Sequence, residues 1–87
     1  MDLEFVGIDP ETEHEGSPTV WLRREVEEIV VQGLKADGEL ESTVASQSWS
    51  PGHAVGIPDH EAVVRIPFRM IPILRKACDD AERPDVR

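Results

Sequence analysis

The sequence predicts an α+β domain: a small three-stranded antiparallel sheet, ordered strand–strand–loop–strand, packed against one C-terminal helix. Three observations carry that prediction. Two runs rich in β-branched residues, 19–23 and 28–35, are separated by a polar connection at 24–27. A third run, 61–68, places Val64, Ile66 and Phe68 on one face of a strand. The stretch that follows repeats apolar residues at Met70, Ile73, Leu74, Ala77 and Ala81, which is the spacing of a single helical stripe.

The first predicted strand follows a turn signal, Gly16-Ser17-Pro18. Alternation along it sets Val20 and Leu22 on one face, Trp21 and Arg23 on the other. The second contains the continuous run Ile29-Val30-Val31, which suits a central strand covered on both faces. Gly33 marks a bulge or the close approach of another backbone, and Asp37-Gly38 is a turn. Between 39 and 46, Leu40 and Val44 stand four apart and support a turn or two of helix. Residues 46–53 contain Pro51 and Gly52 and read as loop. Trp49 in that loop either folds back as a lid on the core or stands out as an anchor for a partner.

Pro67 cannot donate to a ladder, which puts the third strand at an edge or near its own end. Pro72 is tolerated only in a first helical turn, so the helix begins at 69–71 and ends before Pro84, with Arg75 and Lys76 outward. Cys78 has no second cysteine to pair with and reads as a small core residue. The resulting organisation is an acidic N-terminal arm at 1–17, a globular domain at 18–83 and a tail at 84–87.

The chain has 87 residues, with 9 Lys and Arg against 18 Asp and Glu, a formal net charge of −9. A chain of this length buries roughly 60–65% of the surface its unfolded form exposes, so its core is thin. The acidic excess argues against binding nucleic acid, whose phosphates demand Lys and Arg, and against an anionic membrane surface. No run of about 20 apolar residues is present, and Met1-Asp2-Leu3-Glu4-Phe5 is not a secretory signal. The expectation is a small cytoplasmic protein. Residues 1–61 hold 14 acids and 3 bases, whereas 62–87 hold 4 acids and 6 bases. The acidic half is either a solvated arm or a surface that meets a basic partner.

Catalytic and metal-binding patterns are weak. His14, His53, His60 and Cys78 include no paired-ligand spacing, so no metal or other cofactor is expected. Ser42, Ser46, Ser48 and Ser50 lie near His53 in sequence, but nearness along a loop is not triad geometry. Asp59-His60-Glu61 reads as a turn entering a strand, although His60 and Glu61 are the least improbable catalytic pair. No glycine-rich phosphate loop is present. The chain is therefore expected not to be an enzyme.

Several segments, taken together, carry a resemblance: Phe5-Val6-Gly7-Ile8-Asp9-Pro10, Gly16-Ser17-Pro18-Thr19-Val20-Trp21 and Val31-Gln32-Gly33-Leu34-Lys35. The set continues through 57–67, from Ile57-Pro58-Asp59-His60-Glu61 onward, and Arg69-Met70-Ile71-Pro72. It resembles small acidic proteins of actinomycetes encoded beside helix-turn-helix regulators, in loci like those of BldB and WhiJ. The linker 41–56 is longer than in that pattern. The resemblance implies a non-enzymatic accessory protein that works by binding a DNA-binding regulator.

Residues and resemblance together suggest a protein-binding module. Asp9, Glu11, Glu13, Glu25, Glu27 and Glu28 are the candidates for steering a basic partner, and Trp21 and Trp49 for holding it. The alternatives are self-association through an edge strand, giving a homodimer, and an antitoxin-like antagonist of a neighbouring protein.

Overall fold

A computed structural model describes residues 1–11 and 16–83. Its elements are β1 (Glu4–Ile8), β2 (Thr19–Arg23), β3 (Glu28–Gln32), β4 (Leu34–Lys35), α1 (Gly38–Ala45), β5 (Val64–Arg65) and α2 (Ile71–Glu82). The chain divides into two compact units, one formed by Met1–Gly33 and Ile66–Arg87, the other by Leu34–Arg65.

The first unit is a three-stranded antiparallel sheet of order β1-β2-β3 with α2 on one face. The α+β class is therefore as the sequence predicts, but two of its details change. The first strand is Glu4–Ile8, inside what the sequence presents as an acidic arm. Two acids of this segment that look solvated, Glu4 and Asp9, are held by distant bases. Both oxygens of Glu4 accept from Arg24, at 2.9 and 3.3 Å, and Asp9 is buried against Arg69. The second change concerns 61–68. Only Val64–Arg65 is a strand, and it pairs with Leu34–Lys35 rather than with the main sheet. Pro67 has no N–H to extend a ladder, and the chain turns there into a 3-10 turn, Phe68–Met70. Phe68, expected on a covered strand face, is 87% exposed.

β2 is the central strand, and its alternation decides the two faces. Val20 and Leu22 turn toward α2 and form the core with Met70 and Ala77, flanked by Val6, Ile66, Ile73 and Leu74. β1 carries a bulge: Phe5 pairs with Trp21 but Gly7 pairs with Val20, leaving Val6 as the extra residue. Gly7 thereby lies on the helix side, where a Cβ would stand 2.9 Å from Ile73 Cγ2. The lack of a side chain at Gly7 is what lets α2 approach β1.

α2 begins where the prolines allow. Pro72 occupies the first turn, and a single turn of 3-10 helix precedes it. Arg75 and Lys76 face solvent. The apolar stripe ends earlier than its spacing suggests: Ala77 is fully buried but Ala81 is exposed. Cys78 is exposed, not a core residue, because Ala77 takes the inward position and the next residue is rotated off it by about 100°. At the C-terminal end, Arg24 donates to the carbonyls of Asp80 (2.9 Å) and Arg83 (3.3 Å), satisfying acceptors that the last turn leaves open.

The second unit contains the β4–β5 ribbon and α1. Asp37 caps α1 by accepting from the Leu40 N–H at 2.8 Å, so the predicted turn residue is a helix N-cap. No residue from 34 to 65 is buried. Trp49 does not act as a lid on a core: it is 65% exposed, and its indole Nε1 donates to the Val44 carbonyl at 2.8 Å. The Ser48 hydroxyl staples the following loop through the carbonyls of Ser50 and His53.

Candidate partner-binding face

α2 packs over β1 and β2 on one face of the sheet, and the other face carries a row of large apolar side chains. Trp21 is the register partner of Phe5 on one side and of Val30 on the other. Because Val20 and Leu22 point to the core, Trp21 points away from it. Phe5 is 59% exposed and Ile8, on the same face of β1, is 48% exposed, while Trp21 and Val30 are half-buried. Phe5, Ile8, Trp21 and Val30 thus lie together on the face away from α2. A grouped patch of this kind marks an interaction site more often than single exposed apolar residues do.

Charges stand at both ends of the strands. At one end, Arg23 on β2 contacts Glu25 at 3.1 Å and Glu28 at 3.9 Å, and the two carboxylate side chains are 50% and 62% exposed. Glu27 lies between them with φ at +55°, in the left-handed region, and its N–H donates to the Arg24 carbonyl at 3.2 Å. A side chain other than glycine in that region costs about 1 kcal/mol. At the other end, Glu11 follows β1 with its side chain 70% exposed, 3.7 Å from Arg69 Nε.

The candidate residues therefore separate. Trp21 is on the open sheet face, and Glu11, Glu25, Glu27 and Glu28 are exposed acids of the same unit. Trp49 belongs to the other unit. Asp9 is no steering charge: its side chain is wholly buried, with Arg69 donating to both oxygens at 2.7–3.0 Å and the Glu11 N–H at 2.9 Å. The hydrogen bond to Asp9 raises the Arg69 pKa above its ordinary value, against some loss of hydration. Glu13 lies outside the described residues. Phe5, Ile8 and Val30 are absent from the sequence-derived site. The one available signal was apolar residues spaced along 5–8, and the acids around them hid it.

Other arrangements offer less. Among the described residues, no group of three His, Cys, Asp or Glu side chains is placed to hold a metal ion. His60 and Glu61 are 3.8 Å apart, both largely exposed. A cleft of about 430 Å³ lies beside the end of α2, with Leu22, Ile29 and Ala81 in its wall and Arg23, Arg83 and Glu28 at its rim. Its cations are already engaged, Arg23 by Glu25 and Glu28 and Arg83 by Asp80 at 3.9 Å. Among the described residues, no helix is long and apolar enough to cross a membrane. No family model, curated protein or solved structure matches the chain.

Proposed function

We propose that the chain is a non-enzymatic, acidic protein-binding module of the cytoplasm that modulates a basic helix-turn-helix transcription regulator. The observation that carries this reading is the row Phe5–Trp21–Val30, left open on the sheet face opposite α2. A net charge of −9 supplies the second half of the argument. A DNA-binding partner must present Lys and Arg to phosphates, and an acidic protein can occupy that basic face or hold it away from DNA. The resemblance to small acidic actinomycete proteins encoded beside such regulators points the same way. Capture with the tagged full chain from its native host is expected to recover a basic DNA-binding protein. Recovery of the chain alone at saturating bait contradicts the reading.

A second reading is a self-associating domain. The order β1-β2-β3 leaves β1 and β3 as edge strands, and an unpaired edge is a template for sheet extension. Light scattering at micromolar concentration decides it: a strictly monomeric species removes self-association and leaves the first reading intact.

A further inference from the structure

We infer that two copies of the chain join through β3, by antiparallel pairing of β3 with β3 of the second copy about Val30. The inference rests on the self-association reading above and names the strand and its register. Its first support is the contrast between the two edges of the sheet. β1 is interrupted by the bulge at Val6, and a bulge at an edge discourages further pairing. β3 pairs with β2 through five consecutive residues without a shift of register. Its sequence, Glu28-Ile29-Val30-Val31-Gln32, contains no Lys and no Pro, the residues that commonly blunt an edge.

The second support is what α2 leaves uncovered. Ile29 and Val31 are the register partners of Leu22 and Val20, so their side chains lie on the helix side of the sheet. α2 packs over β1 and β2, and Ile29 remains 44% exposed with Val31 half-buried. The two form an apolar strip along the margin of the core, and the cleft of about 430 Å³ opens beside Ile29.

The strand is also complementary to itself. Facing residues of an antiparallel ladder either both bond across it or both bond away from it. On a strand paired with its own copy, the numbers of facing residues therefore sum to an even value. Among such registers, only the one centred on Val30 uses all five residues of β3. It sets Ile29 of each copy against Val31 of the other, which extends the apolar strip across the join. It sets Glu28 against Gln32, whereas a parallel pairing brings the two Glu28 side chains together. The contact is isologous, so it closes at two copies. Both Val30 side chains then lie on the face of Trp21, and the row Phe5–Trp21–Val30 continues into that of the second copy.

The test uses the full chain in sedimentation velocity at about 100 μM, because a five-residue ladder is a small contact that gives a reversible dimer in the micromolar range. The parent is expected to be dimeric. Val30→Lys sets two like charges opposite each other, and Ile29→Lys places a charge in the apolar strip at an exposed position. Each is expected to weaken the dimer at least about tenfold. Mild oxidation reads the register without adding a charge, in a Cys78→Ser background because Cys78 is exposed. Val30→Cys is expected to crosslink, since the two copies of position 30 face each other with Cα atoms roughly 5 Å apart, within the span of a disulfide. Glu28→Cys is not, since its two copies stand about 14 Å apart along the strands. A monomer at about 100 μM overturns both the inference and the self-association reading. A dimer that either Lys variant leaves intact, or that does not crosslink through position 30 in preference to position 28, overturns the inference and leaves self-association standing.

Discussion

Arg69, in the turn that leads into α2, grips both carboxylate oxygens of Asp9 at the end of β1, and the Asp9 side chain is completely shielded from solvent. The two residues are sixty positions apart in the chain. Their contact fastens the N-terminal strand to the start of the helix, so the open sheet face depends on a polar latch as well as on the core.

Asp9→Ala is expected to lower stability by about 2 kcal/mol, the range for a lost hydrogen bond to a charged group. Arg69→Ala lowers it too, because a buried carboxylate then has lost its cation. The double variant is expected to lose less than the sum of the two, since each single change already breaks the same contact. Urea unfolding of the four proteins measures this, and strict additivity contradicts the latch.

Gly7→Val places a side chain where Ile73 already stands, 2.9 Å from the new Cβ. Overpacking of this kind costs about 1–3 kcal/mol. Trimming the obstructing side chain in Gly7→Val/Ile73→Ala is expected to relieve part of the loss. Thermal unfolding of the single and double variants reads the relief, and its absence removes Gly7 from the account of how α2 seats.

Asp80 gives a pH dependence. Its pKa is lowered from the usual carboxylate value of 3.8, chiefly by the hydrogen bond from Lys76, whose Nζ stands 2.6 Å from Oδ2. A lowered folded-state pKa stabilises the fold at pH above the unfolded value, and the contribution fades as pH falls through the folded value. Asp80→Asn is therefore expected to destabilise the chain near neutral pH and to flatten the acid side of its stability profile below about pH 4. Chemical unfolding from pH 3 to 7 provides the comparison, and parallel profiles contradict the assignment.

Much of the first unit was legible because its determinants are local. Alternation at 19–23 separates Val20 and Leu22 from Trp21, and Pro72 with the 3.6-residue period positions α2. The short α1 follows from Leu40 and Val44, whereas Asp37, which reads as a turn residue, is its cap. β1 was hidden because its acids look like those of a solvated arm until their partners are known. Arg24 lies twenty residues from Glu4, and Arg69 sixty from Asp9. The β4–β5 ribbon failed for the same reason, since Lys35 meets Val64 across a long excursion with no alternation to announce it. The candidate site was half legible. Trp21 follows from periodicity, whereas its neighbours Phe5 and Val30 follow from a register that only the folded sheet supplies.

The proposed role of Trp21 is in binding and not in the core. Trp21→Ala tests it when urea unfolding of the variant is measured alongside its affinity for the captured host protein. The expected result is a cooperatively folded variant whose unfolding midpoint stays near that of the parent, with binding weakened by roughly 2 kcal/mol or more, about 30-fold in Kd. Leu22→Ala, on the opposite face of the same strand, provides the contrast, with an expected stability loss of about 2–5 kcal/mol. A Trp21→Ala chain that unfolds as Leu22→Ala does, or one that binds as tightly as the parent, removes Trp21 from the binding face.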